Sequence, residues 1–197
     1  MNIILIGYRC SGKTSVGNRL ARELAREFVD TDDWLMEKAG RSVRNIVEGD
    51  GWEGFRQMEK DAIQAVCGRD NAVIATGGGA VLDPANVAAM QKNGRVVWLK
   101  VSPQIVRQRM TRDENTDDLR PSLTSKGLYD EIVDVLKQRA PLYEKAMDMV
   151  IDTDDKSIEE IVDRIVQESV PGKGSTYPMG KTREPQKKGS VGRQTGM

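Results

Sequence analysis

Histidine is absent from the 197 residues of this chain. Its absence removes a Ser-His-Asp triad, a histidine general base and histidine-ligated zinc. Acid–base work therefore falls to carboxylates, lysines or the substrate's own groups. Cysteine is nearly absent. Cys10 and Cys67 are the two present, too few for a disulfide framework, which suits a reducing compartment. No apolar run approaches the roughly twenty residues that a membrane helix needs. The segment Asn2–Ile6 is apolar from the start. It lacks the basic lead, long apolar stretch and small-residue cleavage site of a signal peptide. The expected location is the cytoplasm, with no membrane partner.

Net charge is missing as well, with Lys+Arg and Asp+Glu each counting 30. The balance is uneven. From Val170 to Met197 six basic residues stand against Glu184 alone, so this stretch carries +5 and the remainder −5. An acidic body gives no electrostatic reason to expect a nucleic-acid partner. The same stretch is rich in Gly, Pro, Lys, Ser and Thr, and a disordered tail is expected over residues 170–197. The length suits a single folded domain, expected over residues 1–169 and as a monomer.

Short continuous apolar runs are present at Asn2–Ile6, Phe28-Val29, Val73–Ala75, Val96–Leu99 and Met149–Ile151. Strands of this kind are buried on both faces, which points to a parallel sheet covered by helices. Helical patterns alternate with them. Val16, Leu20 and Leu24 repeat every four residues. Phe55, Met58, Ala62, Ile63 and Val66 share a face, as do Ile132, Val135, Leu136 and Arg139, up to Pro141. Ile158, Ile161, Val162 and Ile165 form a last amphipathic helix with Ser157 as N-cap. The expected fold is α/β, a doubly wound five-stranded parallel sheet with helices on both faces.

Gly7-Tyr8-Arg9-Cys10-Ser11-Gly12-Lys13-Thr14 matches G-x-x-x-x-G-K-[ST] between a strand pattern and a helix pattern. This is a P-loop. The backbone from Gly7 through Cys10, Ser11 and Gly12 to Ser15 curls its N–H groups toward phosphates, and the helix N-terminus adds partial positive charge. Lys13 is expected to reach the β- and γ-phosphates of ATP, and the Thr14 hydroxyl to ligate Mg²⁺. Neither the Asp-x-x-Gly nor the Asn-Lys-x-Asp motif of a switch GTPase occurs in the chain. A motor ATPase would usually be larger and carry an acidic pair after an apolar strand, where Val73-Ile74-Ala75 is followed by Thr76-Gly77-Gly78-Gly79. A small-molecule kinase fits better.

Further segments, in order, are Asp30-Thr31-Asp32, Gly54-Phe55-Arg56 with Glu59, Thr76-Gly77-Gly78-Gly79-Ala80, Arg120-Pro121 and Arg139-Ala140-Pro141-Leu142-Tyr143. With the P-loop they resemble the shikimate kinase family from about Asn2 to about Gln167. On their own terms, Asp30 and Asp32 follow a short strand, and alternate strand residues aim two carboxylates at one spot. Arg56 and Arg139 carry the planar fork that matches a carboxylate. Consecutive glycines after a buried strand imply close backbone approach.

The resemblance implies roles for these residues. Asp30 holds the Mg²⁺ shell, and Asp32 accepts the proton of the acceptor hydroxyl. Arg56 and Arg139 hold the carboxylate of shikimate, while Gly77, Gly78 and Gly79 meet its ring and hydroxyls. Arg120 stabilises the transferring phosphoryl from a lid over about Thr111–Ser125. A small helical acceptor region covers about Asp33–Asp61. Glu59 is offered as a group that orients Arg56, and Arg112 as a cover for adenine or phosphates. The implied activity is phosphorylation of the shikimate 3-hydroxyl by ATP. The rivals are another metabolite kinase, such as one for gluconate, and a non-catalytic nucleotide-binding module. Cys10, inside the loop, is expected to make the enzyme sensitive to thiol reagents, with ATP protecting.

Overall fold

Every residue of Asn2–Ile6 is buried, and alternate side chains serve opposite faces. Ile3 and Leu5 pack with Val16, Leu20, Ile161 and Ile165, whereas Ile4 and Ile6 pack with Ile63, Met90 and Tyr143. A strand with a core on each side has no polar face to show, which is why its sequence is a run and not an alternation. The structure, a computed structural model, describes residues 1–112 and 127–169.

The strands are β1 (Asn2–Ile6), β2 (Glu27–Asp30), β3 (Ala72–Ala75), β4 (Gly94–Lys100) and β5 (Met149–Asp152). All pair in parallel, in the order β2-β3-β1-β4-β5. Register is set by pairs such as Ile4↔Ile74 and Ile4↔Val96. The chain winds one way from β1 through β2 and β3, then the other way through β4 and β5. The carboxyl end of β1 is therefore the switch point at which open α/β sheets bind ligands.

Helices α1 (Lys13–Leu24), α2 (Thr31–Ala39), α3 (Val43–Cys67), α4 (Pro84–Asn93), α5 (Pro103–Met110), α6 (Leu128–Ala146) and α7 (Ile158–Ser169) join the strands. Helices α1 and α7 cover one face, while α3, α4 and α6 cover the other. Ser157 and Glu160 form a reciprocal capping box ahead of α7: Glu160 N–H donates to Ser157 Oγ at 3.2 Å and Ser157 N–H to Glu160 Oε2 at 2.8 Å. Helix α3 breaks at Gly51, whose φ of 72° and ψ of 177° leave the helix and turn its second half toward the sheet. Among the described residues no helix is long and apolar enough to cross a membrane.

Two expectations need correction. Helix α6 does not stop at Pro141 but runs on to Ala146. Buried Tyr143 and Ala146 hold its last turn in the core, and that packing outweighs the proline's missing donor. Asp32 is not a strand residue. Strand β2 ends at Asp30, whose side chain caps α2 by accepting from Asp32 N–H at 3.0 Å. The two carboxylates come together across a helix N-terminus, not through strand alternation. Helices α4 and α5 carry no strong apolar period; each opens instead with a capping Asp83 or Ser102 followed by proline.

Candidate functional site

The phosphate loop grows out of the geometry of Gly7. Its φ is 147°, and a Cβ there would meet the Leu99 carbonyl oxygen at 2.5 Å and Ser11 Oγ at 2.9 Å. Only glycine lets the chain leave β1 on this path. The loop then curls into α1. Lys13 Nζ donates to the carbonyls of Gly7 at 2.9 Å and Tyr8 at 2.8 Å, so the ammonium lies over the curl. Thr14 Oγ1 donates to Asp30 Oδ2 at 3.0 Å. That pairing sets two hard oxygens side by side at the mouth of the loop. Among the described residues no group of three or more His, Cys, Asp or Glu gathers to hold a metal. A magnesium ion held by Thr14 and Asp30 would take its other ligands from phosphate and water, as Mg²⁺ commonly does.

Across from the loop lies a cavity of about 270 Å³. Lys13, Thr14, Asp30 and Asp32 line one side of it, Arg56, Glu59 and Arg139 the other, and Gly77–Gly79 the floor; Trp52 and Phe55 supply apolar wall. Arg56 Nη1 donates to Glu59 Oε2 at 2.6 Å, one turn further along α3. At Gly77 and Gly79 a side chain would displace the acidic and arginine groups of the site. A Cβ on Gly77 would lie 2.7 Å from Glu59 Oε1 and 2.8 Å from Asp32 Oδ1, and one on Gly79 would overlap the Arg56 guanidinium. Gly77 N–H donates to Thr31 Oγ1 at 3.1 Å. The Gly78 carbonyl accepts from both Arg139 Nη1 at 3.0 Å and Tyr143 hydroxyl at 2.7 Å. The glycine loop is thus pinned to α2 on one side and α6 on the other.

Glu59 is 2% exposed. Burial raises its carboxyl above the ordinary value, and the Arg56 charge offsets part of that. A raised folded-state value means that the folded protein binds this proton more readily than the unfolded chain. The Glu59 contribution is then most favourable at low pH and is lost as pH rises through the folded value. Glu59→Gln removes that penalty. Its melting temperature relative to wild type is expected to climb as pH goes from about 5 to about 8. A difference that stays flat or falls over that range would contradict the assignment.

With this geometry in place, the comparison with known proteins is direct. The family model for shikimate kinase matches residues 9–169. The chain belongs to the shikimate kinase family. It is 44% identical over 174 residues to a shikimate kinase of Syntrophus aciditrophicus, spanning 84% of this chain and 89% of that protein. It is 40% identical over 174 residues to shikimate kinase 2 of Sodalis glossinidius, spanning 88% and 98%. The solved structure of shikimate kinase from Acinetobacter baumannii in complex with shikimate shares the fold with a TM-score of 0.79 and 34% identity, covering 85% of this chain and 91% of that one. Shikimate kinases are phosphotransferases, and membership in the family implies ATP as phosphoryl donor.

Within that family frame, a single cavity gathers Cys10, Gly12, Lys13, Thr14, Ser15, Asp30, Asp32, Arg56, Gly77–Gly79 and Arg139. Ser11 opens instead onto a second cavity, of about 340 Å³, on the other side of the loop. Arg120 lies outside the described residues. The sequence reading passed over Arg109 and saw in Thr153–Ser157 only a loose resemblance to an adenine site; Arg109, Thr153 and Lys156 border this second cavity. Arg109 donates to the carbonyls of Cys10 at 2.9 Å and Thr153 at 3.1 Å. Arg109 thereby ties α5 to the phosphate loop. No spacing rule links residues 10, 109 and 153; the fold alone brings them together.

Cys10 borders both cavities. Cys67 is buried, and burial pushes its thiol up to about 11. A thiol reagent should therefore modify Cys10 first and abolish activity, with Mg-ATP slowing the loss at least tenfold. Cys10 has a φ of 59°, a conformation that glycine adopts without strain. Cys10→Gly should stay active and become insensitive to the reagent. Inactivation that proceeds equally fast in Cys10→Gly would contradict this.

Proposed function

We propose that the chain transfers the γ-phosphoryl group of ATP to the 3-hydroxyl of shikimate, with Mg²⁺, giving ADP and shikimate 3-phosphate. The observation that carries this reading is one cavity with phosphate-binding groups on one wall and arginine forks on the other. Between them Asp32 and the glycine floor leave room for a small ring. The acceptor carboxylate engages Arg56 and Arg139, and the Gly77–Gly79 backbone bounds the ring. Asp32 takes the proton of the hydroxyl as its oxygen bonds to the γ-phosphorus and the bond to the β-phosphate oxygen breaks. Lys13 neutralises charge on the β- and γ-phosphates, and the loop N–H groups hold the rest. When bound at Thr14 and Asp30, magnesium supplies charge neutralisation and phosphate orientation. Arg120 stabilises the transferring phosphoryl in this scheme, on the strength of its motif.

Arg109 and Thr153 frame the second cavity, which we assign to the nucleoside. Loop residues Cys10, Gly12 and Ser15 border both cavities, so a triphosphate bound along the loop would join them. Every group used belongs to one chain within residues 1–169, so a monomer suffices. Incubation with shikimate and Mg-ATP, followed by ³¹P and ¹H NMR, tests the scheme. A phosphate ester coupled to H3 of the ring is expected. An ester at another position, or inorganic phosphate alone, would overturn it.

A further inference from the structure

Arg9 occupies a variable position of the phosphate loop, yet its side chain is 10% exposed and that of Glu131 is 3% exposed. Arg9 Nη2 donates to Glu131 Oε1 at 2.6 Å across a separation of 122 residues. Its Nε donates to the Tyr8 hydroxyl at 3.1 Å, and the guanidinium lies 5.4 Å from that ring's centre. Tyr8 is itself 2% exposed. The fork is therefore held by a carboxylate, a hydroxyl and a ring face at once. Burying two charges is expensive unless they are paired and hydrogen-bonded. Such a pair need not stabilise the fold, but it fixes a geometry.

The geometry it fixes is that of α6. Glu131 sits in the first turn of this helix, and Arg139 follows eight residues on, roughly 12 Å along the axis. Arg139 and Tyr143 both donate to the Gly78 carbonyl. Gly78 in turn abuts the phosphate loop: a Cβ on it would meet Arg9 N at 3.3 Å and Gly7 O at 3.5 Å. Helix α6 is thus tied to the loop at two points, directly through Arg9–Glu131 and indirectly through Gly78. Two ties fix the helix's tilt as well as its distance.

We infer that Arg9 is a positioning residue: its buried ion pair with Glu131 sets the tilt of α6, and with it Arg139, against the phosphate loop. Arg9 also borders the cavity, but in this role it acts through Glu131 and α6. It governs how well Arg139 is placed for the acceptor carboxylate. The inference rests on Arg139 as a carboxylate ligand, so its test includes a measurement made without acceptor.

The test compares Arg9→Met, Glu131→Gln, Arg9→Lys and the double variant Arg9→Met/Glu131→Leu. In each single variant other than Arg9→Lys, KM for shikimate should rise about tenfold or more, with kcat and KM for Mg-ATP within about threefold of wild type; Arg9→Lys should recover part of the loss. The double variant removes both charges and should regain the melting temperature lost in the singles, yet keep the raised acceptor KM. If its KM recovers along with its stability, the pair serves stability alone and the inference fails. The substrate-free arm is backbone hydrogen exchange in α6. Exchange around Arg139 should quicken about tenfold in Arg9→Met and in the double variant. Unchanged exchange there would overturn the inference whatever the acceptor proves to be. Normal exchange changes without any shikimate turnover in wild type would instead strike at the proposed function.

Discussion

Asp32→Asn should lower kcat by about 10²- to 10⁴-fold, the usual range for removing a positioned general base, while KM for shikimate changes little. Asparagine keeps the volume and the hydrogen-bonding reach of the side chain but cannot accept a proton. The position is well defined: Asp32 N–H is held by Asp30, and Oδ1 stands 2.8 Å from where a Gly77 Cβ would be. The substitution therefore removes chemistry and leaves shape. Nucleotide affinity should stay near wild type, since Lys13 and the loop N–H groups are untouched. A kcat within about threefold of wild type would show that Asp32 does not take the hydroxyl proton.

The second large effect is expected for Arg139→Lys, with KM for shikimate rising about tenfold to a hundredfold. The magnitude follows from one lost charge-assisted hydrogen bond of about 1.5–3 kcal/mol. Arg139 serves two partners in this account. Its Nη1 holds the Gly78 carbonyl at 3.0 Å, and the rest of the fork faces the cavity. A lysine is a point charge and cannot present two parallel donors to a carboxylate while anchoring the glycine loop. Tyr143→Phe separates the two duties: it removes the other donor to Gly78 but leaves the fork. It should raise KM less than Arg139→Lys. If the two variants behave alike, the role of Arg139 is to hold the loop and not to bind the carboxylate.

The features read correctly from the sequence are those whose signal is local. The inner strands β1, β3 and β4 are short apolar runs because both of their faces are buried, whereas the edge strands β2 and β5 leave residues such as Glu27 and Val150 exposed. The phosphate loop is a contiguous motif whose glycines answer to backbone geometry. Arg56 and Glu59 were legible as a pair because helical spacing alone brings them together. Other features depend on where the chain returns. Asp32 was read as a strand residue because the capping of α2 by Asp30 shifts the boundary by two residues, which apolar periodicity does not report. Pro141 looked like a stop because the local cost of proline is visible, whereas the burial of Tyr143 that offsets it is not. Helix α4 was passed over because Asn86 and Met90 are its buried residues, too few to make a stripe. Arg9 with Glu131, and Arg109 with Cys10 and Thr153, are contacts across the fold that no spacing in one sequence predicts.

The central claim is that the arginine wall of this cavity selects a carboxylated ring as phosphoryl acceptor. The direct test is steady-state ADP release by the purified chain with Mg-ATP and shikimate, beside parallel reactions with gluconate and with the methyl ester of shikimate. The account predicts release that depends on shikimate, falls sharply when the ester masks the carboxylate, and is negligible with gluconate. Equal rates with shikimate and its ester, or release with gluconate alone, would contradict it.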